Sequence, residues 1–276
     1  MNSTTTIKKL PRSGWHLIRR AFLLLPLAVA ACTGSKASAA DERVEVITKA
    51  GGHHFSIPLG YIRNRSPGYV DQESWWLEAL WPQMTPWRGG NSEDDVAFHA
   101  PGGGGIVSVM VHFTTALRVD FLERMAGLKP LGDLPESIDF PDAIKNRSKG
   151  PSIYGLEVYR IDFQRVRQFL GRNRASTPEL DEFGRSRWDD LFMSRNEGVN
   201  TVITCTTDTV NDPPKIDRKK IVLVPQCRHI FVLKEFDASI ELRYRRTFLS
   251  NWKDIENTTR SLIRSFQKEN RTTESQ

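Results

Sequence analysis

Through most of the chain apolar residues alternate with polar ones, the period of a strand. "RVEVIT" and "HHFSIPL", joined by the turn "KAGG", predict a hairpin. In "IVSVMVHF" the residues Val107, Val109, Val111 and Phe113 share one face. "YGLEVYRIDF" predicts a further strand, "DLFMSR" and "NTVITC" a hairpin across the turn "NEGV", and "HIFVLKEF" with "SIELRYRRTFL" another across Asp237-Ala238. In the last of these Ile240, Leu242 and Tyr244 alternate with Glu241, Arg243 and Arg245, the pattern of an antiparallel sheet with one wet face.

Two stretches carry a helical period. Thr115 to Ala126 places Leu117, Phe121, Leu122 and Met125 on one side, and "NWKDIENTTRSLIRSF" spaces Trp252, Ile255, Leu262 and Phe266 for an amphipathic helix capped by Ser250 or Asn251. The expected class is α+β, with mostly antiparallel sheets built from hairpins and each half closed by an amphipathic helix. The N-terminal half runs over 43–128 and the C-terminal half over 153–268. Residues 129–152, rich in Pro, Gly, Asp and Ser, form the expected connector, and 269–276 a disordered tail.

Two segments break the alternation. Between Ile62 and Asp95, Trp75, Trp76, Trp81 and Trp87 fall within thirteen residues, with Leu77 and Leu80 at near-helical spacing before Pro and Gly stop any helix. This segment is either a hydrophobic plug on the sheet or an aromatic patch for a partner, which makes Trp75, Trp76 and Trp81 candidate contacts. From Gln164 to Arg187 the chain is polar and loop-like. Its arginines, Arg165, Arg167, Arg172 and Arg174 among them, together with Arg243, Arg245 and Arg246, either form a basic surface for an acidic partner or pair with Glu179, Asp181 and Glu182.

The first 31 residues hold five basic residues and no acid, then an apolar core from Ala21 to Ala31 that is too short to span a bilayer. They read as a signal peptide. Of 39 basic residues in the chain, 34 then remain against 33 acids, so the basic excess belongs to the leader and nucleic acid is not expected as a partner. Cleavage fits either Ala37-Ser38-Ala39 or the bond before Cys32. Val29-Ala30-Ala31-Cys32 resembles the lipobox of bacterial lipoproteins, which implies a lipidated, N-terminal Cys32 followed by a tether over 32–42. Thr33 stands where that family places an Asp in inner-membrane members, which implies the outer membrane. Arg19-Arg20-Ala21-Phe22-Leu23 also looks like a twin-arginine signal, although Ile18 departs from it and a plain basic n-region accounts for the arginines.

With Cys32 in the anchor, Cys205 and Cys227 remain, each near the end of an apolar run and separated by a polar loop. In an oxidising compartment they are expected to pair, stabilising the fold by about 3 kcal/mol; the other reading is two buried thiols.

Motifs that dictate chemistry are missing: no G-x-S-x-G, no H-E-x-x-H, no phosphate loop, no C-x-x-C pair. Gly102 to Gly105 precede a strand, not a helix, and read as a hairpin tip. His53 and His54 face opposite sides of a strand, so one metal cannot take both, and His99, His112 and His229 read as ordinary strand-end histidines. Asp94-Asp95 and Asp189-Asp190 read as solvated acids. No catalytic residue, metal or cofactor is expected.

Three functions fit these features: a protein-binding lipoprotein, a structural or assembly lipoprotein of the envelope, and a hydrolase with dispersed catalytic residues. "HHFSIPLGYI", "YGLEVYR" and the closing stretch from Cys227 to Phe266 resemble envelope lipoproteins that serve as immunity proteins to type VI secretion effectors. The resemblance implies a periplasm-facing protein that neutralises a toxin, such as a lipase, by forming a complex with it. It assigns no contact residue.

Overall fold

The computed structural model describes residues 42–87, 93, 94, 96, 104–130, 143–162, 164–166, 168, 169, 189–206 and 225–268. Cys32 and its tether, His99, Arg167, Arg172, Arg174 and the tail 269–276 lie outside the described residues.

A hairpin of β1 (Arg43–Ile47) and β2 (His54–Pro58) opens the fold. It is followed by β3 (Ser74–Leu80), β4 (Ile106–Phe113), the short helix α1 (Phe121–Met125), β5 (Arg147–Ile153), β6 (Leu156–Ile161), β7 (Asp189–Arg195), β8 (Val199–Thr206), β9 (Gln226–Leu233), β10 (Ala238–Arg245) and helix α2 (Trp252–Phe266). Strands β3 to β10 form one antiparallel sheet of eight strands, ordered β3-β4-β10-β9-β8-β7-β6-β5. The class is α+β, as the hairpin pattern predicts. Both expected halves contribute to the one sheet, because β10 inserts between β4 and β9, and all of β5 except Ile153 falls inside the stretch expected as a connector.

The alternating residues decide what each face packs against. One face carries Trp75, Leu77, Val107, Val109, Val111, Ile240, Leu242, Phe231, Ile203 and Phe192, all at most 1% exposed, and is covered by α2 and the β1–β2 hairpin. There Phe55 meets Trp75, Phe113 and Phe236 ring to ring at 4.6–5.9 Å. The other face carries a smaller cluster of Leu191, Met193, Val202 and Ile230 beneath Leu122 and Ala126 of the α1 segment.

Two helical expectations change. Trp75 to Leu80 forms the edge strand β3, with Trp75, Leu77 and Ala79 buried on one side and Trp76 and Glu78 on the other. The period of two, in aromatic residues that suit a pleated surface, overrides the chance spacing of the two leucines. Only Phe121–Met125 of the expected Thr115–Ala126 helix is helical, since one turn of apolar residues docks on the sheet and the rest forms turns. Asn251 occupies the cap position of α2 without a side-chain hydrogen bond to the helix.

The chain end is tied to its beginning. The Lys268 N–H donates to the His54 carbonyl, and Glu45 accepts from Lys268 (2.8 Å), Ser56 (2.6 Å) and His54 (3.0 Å). These partners hold the Glu45 carboxyl at about 2, the Lys268 contact first among them. A depressed carboxyl pKa contributes stability above 4.5 that is lost as pH falls toward 2. At a half-exposed site screening leaves little of it, so Lys268→Met is expected to flatten acid unfolding between these limits by well under 1 kcal/mol, read by fluorescence-monitored acid titration. An unchanged titration would assign Glu45 no role in acid sensitivity.

Candidate functional site

The face opposite α2 is wet over β3, β4, β10 and β9, and its organisation starts from a cross-strand coincidence. Arg228 on β9 and Arg243 on β10 stand directly opposite each other in the ladder. Glu241, two residues from Arg243 and therefore on the same face, accepts from both: Arg228 Nε at 2.7 Å and Arg243 Nε at 2.8 Å. Burial pushes the Glu241 carboxyl up, but the two guanidinium hydrogen bonds outweigh it and hold the group below its ordinary value. The Glu241 side chain is 11% exposed while those of Arg228 and Arg243 are 45% and 52% exposed, so a buried anion fixes two outward-reaching cations.

The same rank continues across the sheet through Met110, opposite Glu241, to Trp76, opposite Met110. The Arg63 guanidinium lies 3.6 Å from the Trp76 ring centroid, and Tyr69 meets that ring edge-on at 5.8 Å. Arg63 also faces Glu78 at 3.6 Å; burial raises the Glu78 carboxyl and Arg63 offsets part of that rise. Trp76 keeps a buried indole N–H that meets no acceptor. The result is a partly buried aromatic and methionine strip bordered by arginines, the composition that anchors protein interfaces.

The sequence-derived candidates separate in three dimensions. Trp75 lies in the core at 1% exposure and donates its indole N–H to the Asp71 carbonyl. Trp81 sits in the turn after β3, its N–H on the Gly105 carbonyl at 2.7 Å, an approach close enough that a Cβ at Gly105 would meet the Trp81 carbonyl at 3.1 Å. Trp76 alone of the three belongs to the wet face. Arg165 pairs with Asp162 at 3.3 Å and donates to the Arg147 carbonyl at 2.9 Å, bracing the start of β5. Arg63 and Arg228 were not singled out by sequence reasoning; for Arg228 the available signal was the charged half of the alternating β9–β10 hairpin, which shows its pairing only once the register is known.

The groups with catalytic potential lie elsewhere. His229, 0% exposed, bonds Tyr244 (3.1 Å) and Glu256 (3.0 Å), and Glu256 also accepts from Thr201 and Arg260. Burial lowers the His229 pKa against the pull of Glu256, so the ring is neutral. A carboxylate can only accept, so Nε2 carries the proton and the Tyr244 hydroxyl donates to Nδ1. This is an imidazole between an acid and a hydroxyl, but it is sealed between sheet and helix where no substrate reaches it. A cavity of about 210 Å³ at the β5–β6 end is lined by Tyr154, Arg160, Phe192 and Arg246, smaller than the roughly 300 Å³ at which drug-sized pockets begin. Among the described residues no group of three His, Cys, Asp or Glu side chains could hold a metal, and no helix is long and apolar enough to cross a membrane.

No family model matches the chain, and no curated protein does so either. Among solved structures, an immunity protein of the Stenotrophomonas maltophilia type IV secretion system is similar, with a TM-score of 0.63 over 83% of this chain and 94% of its own, at 21% identity. At that identity the likeness is one of fold: this chain shares the architecture of a protein described as an immunity protein.

Proposed function

We propose that this protein is an immunity protein of the bacterial envelope that neutralises a secreted toxin by forming a stoichiometric complex and performs no catalysis itself. The observation that carries the reading is the wet sheet face, where Trp76 and Met110 stand in register and Arg63, Arg228 and Arg243 are held around them, an arrangement that suits docking of a protein partner. The shared fold with a secretion-system immunity protein supports it. The resemblance of the strand and helix segments to type VI immunity lipoproteins supports it independently, and favours delivery of the toxin by a type VI system and a lipase as the toxin.

Cys32 is the lipid anchor in this reading, holding the domain on the periplasmic side of the outer membrane through the tether up to Glu42. A toxin that attacks lipid acts at a membrane surface, and tethering raises the inhibitor's local concentration there.

The test is binding between this protein and the toxin encoded beside it, by calorimetry and by survival of toxin-expressing cells. A one-to-one complex is expected. Trp76→Ala is expected to weaken it by about 2 kcal/mol, roughly 30-fold, with circular dichroism confirming an intact fold. A wild-type protein that neither binds nor protects would sink the proposal.

A further inference from the structure

Two like charges placed directly opposite each other on adjacent strands destabilise a sheet. Arg228 and Arg243 are such a pair, and a single carboxylate, Glu241, serves both. Two cations on one anion leave the cluster one positive charge in excess. Both arginines reach solvent beyond Glu241 with about half of each side chain exposed. Each guanidinium has five N–H donors, and the contacts to Glu241 use only those on one side, so outward donors remain for a second acceptor.

Glu241 holds the pair without neutralising it. Bound through Nε, each arginine is oriented before any partner arrives, which removes part of the side-chain entropy that binding would otherwise have to overcome. The planar fork of a guanidinium matches a carboxylate in bidentate fashion, whereas a lysine in either place would present a point charge. Beside the pair on the same face stand Met110 and Trp76, an apolar border that excludes water from a docked ion pair and strengthens it.

We propose that the Arg228–Arg243 pair is the recognition point for an acidic segment of the toxin, a carboxylate of which docks across both guanidiniums, with Glu241 as positioning residue. This rests on the immunity reading and adds the chemistry of the partner.

The experiment compares wild type with Arg243→Gln and Arg228→Gln, and measures affinity for the adjacent toxin, association rate against salt, and melting temperature. Expected is a loss of affinity of roughly tenfold to hundredfold in each variant and a shallower salt dependence of the association rate. Melting temperature is expected to fall by only about 1–4 °C, because Glu241 loses one of its two guanidinium partners while a like-charge contact is relieved, and circular dichroism confirms an intact fold. Glu241→Gln should weaken binding with both arginines still present. Wild-type affinity and an unaltered salt slope in both arginine variants would overturn the assignment.

A second arm keeps this outcome apart from failure of the immunity reading. An acetylated tetraglutamate peptide is titrated into the wild-type protein while the arginine Nε–H resonances are followed by NMR. Saturable shifts of the Arg228 and Arg243 signals, lost in Arg243→Gln, support an acidic-ligand site even if the adjacent toxin does not bind. Signals that do not move reject the site.

Discussion

Glu256→Ala is expected to lower the unfolding free energy by about 3–5 kcal/mol, the range for removing one member of a buried charged network. Glu256 reaches from α2 into the sheet and accepts from Thr201 at 2.7 Å, His229 at 3.0 Å and Arg260 at 2.7 and 2.9 Å. Its loss strands three donors at once. The His229 ring has no other acceptor for Nε2–H, and Arg260, packed 4.3 Å over the Phe231 ring, keeps only its bond to the Val232 carbonyl. Urea unfolding of the two proteins, compared by midpoint at equal slope, measures the difference. A change under about 1 kcal/mol would mean that water enters and replaces the carboxylate.

The same cluster sets a pH dependence. His229 is depressed below 6.5 by burial, so as pH falls the unfolded chain takes up a proton that the folded one refuses, and stability declines from about pH 6.5 downward. Burial pushes the Glu256 carboxyl up, but the hydrogen bond from His229, with those from Thr201 and Arg260, outweighs it and leaves the group below 4.5. A depressed carboxyl adds stability above that value and loses it as pH falls further. Both groups therefore act in the same direction.

Replacing Cys205 and Cys227 together by alanine is expected to destabilise the fold by about 3 kcal/mol on the chain-entropy model. The two cysteines face each other in the β8–β9 ladder and are joined as a disulfide with a Cα separation of 4.0 Å, closing a loop with a sequence separation of 22. The bridge sits at the end of the β8–β9 ladder, and on the chain-entropy account it stabilises by restricting the unfolded chain. Thermal unfolding with and without reductant gives the comparison: reduction should lower the wild-type melting temperature toward that of the double variant and leave the variant unaffected. Equal melting temperatures under both conditions would show that the bridge does not stabilise the fold. A bridge of this kind suits an oxidising compartment, the environment that the proposed function requires.

Much of this architecture is legible along the chain because a strand with one buried face writes its period into the residues. Ile240, Leu242 and Tyr244 against Glu241, Arg243 and Arg245, or Val107, Val109 and Val111 against Ser108 and Met110, need no partner to be recognised. The amphipathic period of α2 is equally local, with Trp252, Ile255 and Phe266 buried as expected, while Ile263 rather than Leu262 is the fully buried residue between them. The cysteine pairing, expected in preference to two buried thiols, is present as the Cys205–Cys227 disulfide. Reading failed at β3, where two leucines at near-helical spacing masked an alternation of Trp75, Leu77 and Ala79, and at β5, whose Lys149, Gly150 and Pro151 look like linker. Such residues suit a sheet edge, where a missing N–H and a charge discourage further pairing.

The class, the hairpins across "KAGG", "NEGV" and Asp237-Ala238 and the closing helix are written in local residue pattern, since each depends on neighbours within a few residues. That the two halves share one sheet is visible only in three dimensions, because the insertion of β10 between β4 and β9 joins residues more than a hundred positions apart. The same holds for which tryptophan faces outward and which arginines matter. Arg228, Arg243 and Glu241 become a unit through register, and Trp76 joins them through the sheet. A recognition surface of this kind is a property of strand order, and strand order is set by which hydrophobic faces can be buried together.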